Sequence, residues 1–263
     1  MTSTTASTDS TELVHLVIRD GIATITLDSP HNRNALSVQL RRELRGHLDT
    51  AIDSDEARAI VLTHTGKVFC AGADLKESRG AAAKDQGVGE VPAIFEQIWT
   101  SPTPVVARVA GPVRAGGTGL VASCDIAVAS DAVNFAFSEV RIGVVPAVIT
   151  VPLAAKVHPT ALHELFLTGE PFDAARAAAI GLITSAVPAD KLDDEVTRYT
   201  DMLRLGAPGA LAETKELLRR PVTATMHEDL LKLAEYSAAK FASEEGQEGI
   251  AAFGEKRKPS WVR

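Results

Sequence analysis

An α/β fold followed by a helical C-terminal region is what the order of apolar runs predicts for this chain of 263 residues. Three observations lead there. Short β-branched runs alternate with helix-forming segments in the first part of the chain. An Asp-Gly pair joins the first two runs, and from Pro159 onward helix formers take over.

Residues 13–18 and 22–27 flank Arg19-Asp20-Gly21, the pattern of a tight β-hairpin. Residues 29–34 (SPHNRN) have loop chemistry. Ser37 then suits the cap of a helix in which Leu40, Leu44, Leu48 and Ile52 recur every four residues. Residues 59–63 read as a short buried strand, 105–109 as a second after Pro102 and Pro104, and 126–129 as a third. Helices are expected over 159–167, 174–179, 190–205, 208–219 and 230–241. The expected organisation is a disordered Ser/Thr-rich tail at 1–12, an α/β core at 13–190 and a helical region at 191–263. Residues 76–90 are rich in Ala, Gly and charge without periodicity, so part of that stretch is expected to be mobile.

Composition narrows the function classes. Hydrophobic residues at 45% and charged residues at 23% are ordinary for a globular protein, and a formal charge of −7 argues against nucleic acid or anionic membrane as partner. It leaves room for an anionic small molecule, because a helix N-terminus and a few lysines act locally. Cys70 and Cys124 sit in apolar runs and read as buried, reduced thiols, and no Cys or His spacing suggests a metal site. The N-terminal residues lack the apolar stretch of a signal peptide, and no run reaches the ~18 apolar residues of a membrane span. The expectation is therefore a cytoplasmic protein with no membrane partner.

Three segments carry chemistry. Gly66-Lys67-Val68-Phe69-Cys70-Ala71-Gly72-Ala73-Asp74-Leu75-Lys76 crowds small residues into a turn after a strand, where backbone N–H groups can approach a ligand. An ordinary glycine turn is the competing reading. Gly111-Pro112-Val113-Arg114-Ala115-Gly116-Gly117-Thr118-Gly119-Leu120 places a glycine pair at the start of a helix, leaving outward-pointing amides backed by the helix dipole. It fits neither the GxGxxG nor the GxxxxGK[ST] spacing, and close helix–strand packing would equally call for its glycines. The third segment, residues 134–146, holds Glu139 in an apolar setting that would raise its pKa; an ion pair with nearby Arg141 is the structural alternative. Histidines add little. His158 and His163 are five apart, no HExxH occurs, and His31 and His64 fall near loops and read as surface residues. Asp74 suits a cap of its own turn, and Trp99 and Trp261 suit packing.

Taken together, these segments resemble the crotonase, or enoyl-CoA hydratase/isomerase, superfamily. The resemblance runs from about Val14 and includes Asn32-Arg33-Asn34-Ala35-Leu36-Ser37, Leu167-Thr168-Gly169-Glu170, Ala178-Ala179-Ile180-Gly181-Leu182-Ile183 and the stretch from Glu248 to Arg257. It implies repeated ββα units forming two roughly perpendicular sheets, then helices that assemble trimers or hexamers. It implies that the amides of Ala73 and Gly116 form an oxyanion hole for a thioester, a donor pair of which each member contributes ~3 kcal/mol. It also implies that Ala73, Asp74, Leu75 and Lys76 line a coenzyme A site, with Arg33 and Lys256 near the phosphates. Coenzyme A enters as part of the substrate, so no separate cofactor and no metal is expected.

One departure limits the implied chemistry. Hydratases of this superfamily carry two glutamates; the second maps onto Glu139, and the first maps onto Gly119, which has no side chain. Hydration of a 2-enoyl-CoA with Glu139 alone, Δ3-Δ2 isomerisation and acyl-CoA hydrolysis all survive, as does a non-catalytic CoA-binding scaffold. The acyl chain is expected to meet residues 76–90, Phe95, residues 144–151 and helices of the C-terminal region.

Overall fold

A computed structural model describes residues 12–77 and 89–262. The expected tail lies outside the described residues except for Glu12, which is held by His15 Nδ1 (3.1 Å) and His47 Nε2 (3.0 Å). Most of the expected mobile stretch, 78–88, also lies outside them.

The chain opens with β1 (Val14–Arg19) and β2 (Ile22–Leu27), an antiparallel hairpin whose turn residues Asp20 and Gly21 both have positive φ. Helix α1 (Val38–Ile52) begins where Ser37 Oγ accepts the Leu40 N–H, and buries Leu40, Leu44 and Leu48. Then come β3 (Ala59–His64), α2 (Glu90–Thr100), β4 (Val105–Val109) and β5 (Val113–Arg114). Helix α3 (Gly116–Ser123), β6 (Ile126–Ser130), β7 (Asn134–Ala136) and α4 (Ala147–Ala154) follow. After α5 (Pro159–Thr168) the chain makes β8 (Phe172–Asp173), α6 (Ala174–Ala179) and β9 (Ser185–Val187). It ends in α7 (Leu192–Leu205), α8 (Pro208–Phe241) and α9 (Glu244–Glu255).

The strands form two sheets. The larger has the order β1-β2-β3-β4-β6-β9, parallel from β2 onward, and the smaller has the order β5-β7-β8. β3, β4 and β6 are apolar on both faces because both faces are covered. Ile60 and Leu62 face the main core, whereas Val61, Val106 and Val128 pack under Leu192 and Val196 of α7.

The helices expected at 208–219 and 230–241 are one. α8 spans 34 residues and passes through Pro221. A proline inside a helix costs about 3 kcal/mol, in part through the carbonyl it leaves unpaired four residues earlier. Here that residue is Leu217, on the exposed face, where water can satisfy the carbonyl. Buried contacts on both sides hold the helix. Lys215 Nζ donates to Thr103 O (3.0 Å) and pairs with Asp125, while Met226, Leu230 and Ala234 join the main core. Tertiary packing thus joins two segments that read as separate helices.

Candidate active site

Two turns meet beyond the carboxyl ends of β3 and β5. The Ala71 N–H donates to Arg33 O (3.1 Å), the Leu36 N–H to Gly72 O (2.8 Å) and the Arg114 N–H to Cys70 O (3.0 Å). Gly72 has φ +87°, and a Cβ on it would lie 2.8 Å from Ala115 Cβ and 3.4 Å from the Gly116 nitrogen. Only glycine permits that approach. The amides of Ala73 and Gly116 therefore come from adjoining turns, and neither donates a hydrogen bond among the described residues. Gly116 is the first residue of α3, so the positive end of the helix dipole lies behind its N–H.

Ala115, which nothing in the sequence singled out, shapes this arrangement. It has φ +46° and ψ −122°, a conformation that L residues rarely adopt and that costs about 1–3 kcal/mol. Its N–H donates to Ala136 O (3.1 Å), and its carbonyl accepts from Thr118 N (2.8 Å) and Thr118 Oγ1 (2.6 Å). With the Ala115 carbonyl turned into the helix, the Gly116 N–H of the same trans peptide must point the other way. Arg114 ties the support together, donating from Nη1 to Val113 O (2.9 Å) and Asn134 O (2.9 Å).

Glu139 begins a short 3-10 turn after β7, Glu139–Ile142, which the αL residue Gly143 closes. The residue is 8% exposed, and its Oε2 is buried with no hydrogen-bond partner among the described residues. Burial pushes its pKa up to about 7, partly offset by a hydrogen bond from its own backbone amide. The expected alternative, a pair with Arg141, does not form; Arg141 pairs with Glu170 instead.

A cavity of about 750 Å³ joins these groups. Ala73, Gly116 and Glu139 line it together with Arg33, Asp74, Leu75 and Lys76. Six cationic side chains line it; Arg41, Arg141 and Arg257 pair with Glu90, Glu170 and Glu248, and the charge of Arg33, Lys76 and Arg114 beyond those pairs suits an anionic ligand in this part of an acidic protein. Leu36, Val91 and residues 145–149 supply the apolar wall. Asp74 lines the cavity and also caps its turn, accepting from the Lys76 N–H (3.0 Å) and from Asn32 Nδ2 (3.3 Å).

Some expectations require correction. Lys256 ends α9 in an exposed αL conformation and does not line the cavity. Its neighbour Arg257 does, already paired with Glu248 (2.7 Å) and Glu255 (2.7 Å). Phe95 is buried behind Gly119 and is not part of the cavity wall. His31 lines the cavity, but His64 is buried rather than on the surface. Its Nδ1 meets Thr65 O at 3.1 Å, Nε2 accepts from the Ala110 N–H at 3.3 Å, and burial lowers its pKa, so it is a neutral structural residue. Both cysteines are buried, their thiol pKa values pushed up to about 12, and they take no part. No group of three or more His, Cys, Asp or Glu suited to a metal occurs among the described residues.

Comparison with known proteins identifies the family and the fold. A sequence-family model described as enoyl-CoA hydratase/isomerase matches residues 17–263. The rat protein named enoyl-CoA hydratase domain-containing protein 3, mitochondrial, is 34% identical over 249 residues, covering 92% of this chain and 82% of the relative. The crystal structure of an enoyl-CoA hydratase from Mycobacterium avium superposes with a TM-score of 0.87 at 42% identity, covering 95% of this chain and 99% of that one. A methylmalonyl-CoA decarboxylase structure gives a TM-score of 0.83 at 29% identity, covering 96% and 99%.

Proposed function

Since the chain belongs to the enoyl-CoA hydratase/isomerase family and has the crotonase fold, we propose that it binds an acyl-CoA thioester and hydrates a 2-enoyl-CoA, with Glu139 as its one side-chain acid/base. The observation that carries this reading is the shared cavity. It brings together two amides that have no acceptor among the described residues and a buried carboxylate of which one oxygen has no partner among them.

The chemistry follows from these groups. The thioester oxygen accepts from the Ala73 and Gly116 amides, which are oriented before substrate arrives and lose nothing to reorganisation. Ionised Glu139 takes a proton from water as the water oxygen bonds to the β-carbon, and the displaced π electrons move onto the thioester oxygen. Glu139, now protonated, gives that proton to the α-carbon of the enolate. Water has been added and the carboxylate is restored. A pKa near 7 suits a group that must accept and return a proton in one cycle. Arg33 and Lys76 supply positive charge for the coenzyme A phosphates.

Δ3-Δ2 isomerisation is the second reading, and one observation favours it. Gly119 offers no second carboxylate, and moving one proton from the α- to the γ-carbon needs a single base. A non-catalytic scaffold fits poorly, since it gains nothing from a buried, unpaired carboxylate that costs stability. Product analysis with a straight 2-enoyl-CoA, a 3-enoyl-CoA, a branched glutaconyl-CoA and a saturated acyl-CoA tests the proposal. A 3-hydroxyacyl-CoA product supports hydration. A 2-enoyl product from the 3-enoyl substrate alone replaces hydration with isomerisation, and release of free coenzyme A alone overturns both.

A further inference from the structure

The region around Gly119 holds more than a missing side chain. Gly119 lies three residues after the donor Gly116 on α3, so both fall on one side of that helix. A Cβ built on Gly119 would stand 2.3 Å from Phe95 Cζ, 2.5 Å from Phe95 Cε2 and 3.1 Å from Ile149 Cγ2. Real Cβ atoms do not approach other heavy atoms closer than 3.0 Å. Ile149 lines the cavity, so a side chain at 119 would start beside the cavity wall and would meet the aromatic ring first.

The obstacle is rigid. Phe95 is fully buried on α2 between Ile94 and Ile98, both also fully buried, and α2 packs directly on α3. Close packing limits how far such a ring can shift. Glycine at 119 and phenylalanine at 95 are therefore one unit. The ring fills the volume that the glycine vacates, and a change at either position alone disturbs the packing.

We propose that Phe95 is a specificity-determining residue. Its ring excludes a second acid/base group from α3 and restricts the site to chemistry that Glu139 performs alone. The proposal rests on the acyl-CoA reading and adds the element that sets reaction type. It also gives a reason for an aromatic residue at 95, which is not itself part of the cavity wall. Its contact is with the backbone of the helix that supplies a donor amide.

A double-variant cycle with two readouts tests it. By melting, Gly119→Ala should be several degrees less stable than the parent, because even a methyl group meets the ring. The same substitution made in a Phe95→Leu background should cost clearly less, a coupling expected only for residues in contact. By activity, Phe95→Ala/Gly119→Glu should hydrate a 2-enoyl-CoA about 10²-fold faster than Phe95→Ala alone, the usual gain from one positioned acid/base. Isomerisation of a 3-enoyl-CoA should change much less. If the glutamate variant does not fold, Phe95→Leu/Gly119→Asp gives the same comparison with a smaller side chain. An unchanged melting temperature for Gly119→Ala, or a folded carboxylate variant with the parent's ratio of hydration to isomerisation, overturns the proposal while leaving Glu139 in its role. A parent that turns over none of the thioesters overturns the acyl-CoA reading as well.

Discussion

Replacing Glu139 with glutamine separates the charge of this residue from its shape, and both consequences can be measured. Burial raises the carboxyl pKa from 4.5 to about 7 in the folded chain. Below pH 4.5 folded and unfolded states both hold the proton, and stability does not depend on this group. As pH rises past 4.5 the unfolded chain releases a proton that the folded chain keeps, so stability falls. The full cost is reached above about pH 7, when the buried carboxylate ionises as well. At 1.36 kcal/mol per tenfold change, the cost is under about 1 kcal/mol at pH 5 and about 3 kcal/mol at pH 8.5. Glutamine carries none of it. The melting temperature of Glu139→Gln relative to the parent should therefore rise by about 5–10 °C between pH 5 and pH 8.5, at ~2–4 °C per kcal/mol for a chain of this size. Any constant cost of burying the amide cancels in that difference. The variant should bind acyl-CoA yet turn over ~10²-fold more slowly or worse, and the parent's kcat/KM should climb through about pH 7 as the base ionises. Identical pH dependence of melting in both proteins would mean that the carboxylate is not desolvated as described. Full activity in the variant would remove Glu139 from the chemistry.

Gly116→Val should fold, because its Cβ meets the end of the Leu36 side chain at 3.0 Å and Gly72 Cα at an ordinary 3.8 Å, and should lose ~10²-fold or more in kcat through obstruction of the donor amide. Near-normal turnover would show that the Gly116 amide is not a donor. Arg33→Ala and Lys76→Ala should each raise KM for the acyl-CoA by roughly 3- to 10-fold with little change in kcat, less so at high salt. Lys256→Ala, outside the cavity wall, should leave KM unchanged; the opposite ranking in steady-state assays would reverse the phosphate assignment. Light scattering at micromolar concentration should report about three or six chains, assembled through the helical second half, which exposes Leu205, Leu217 and Leu218. A monomer that still binds coenzyme A would reject that assembly.

Much of this protein was legible in one dimension because the signals were local. The Asp20-Gly21 turn, the Ser37 cap, the four-residue leucine spacing of α1 and the apolar β3, β4 and β6 follow from backbone sterics, capping and periodicity within a few residues. The order of the glycine-rich turns and the lone Glu139 was legible as well, since each is a contiguous segment. Tertiary structure decided what depends on neighbours remote in sequence. Residues 208–219 and 230–241 read as two helices, but buried contacts of Lys215 and Met226 on either side of Pro221 make them one. His64 lay beside a loop yet folds inward, and Lys256 belonged to a matching motif yet stays outside the cavity. The positive φ of Ala115 has no signature in its side chain; the hydrogen bonds to Ala136 and Thr118 impose it. Gly119 showed in sequence only that a carboxylate was missing. That Phe95 fills its place depends on how α2 packs against α3, a contact between residues 24 positions apart that no local pattern encodes.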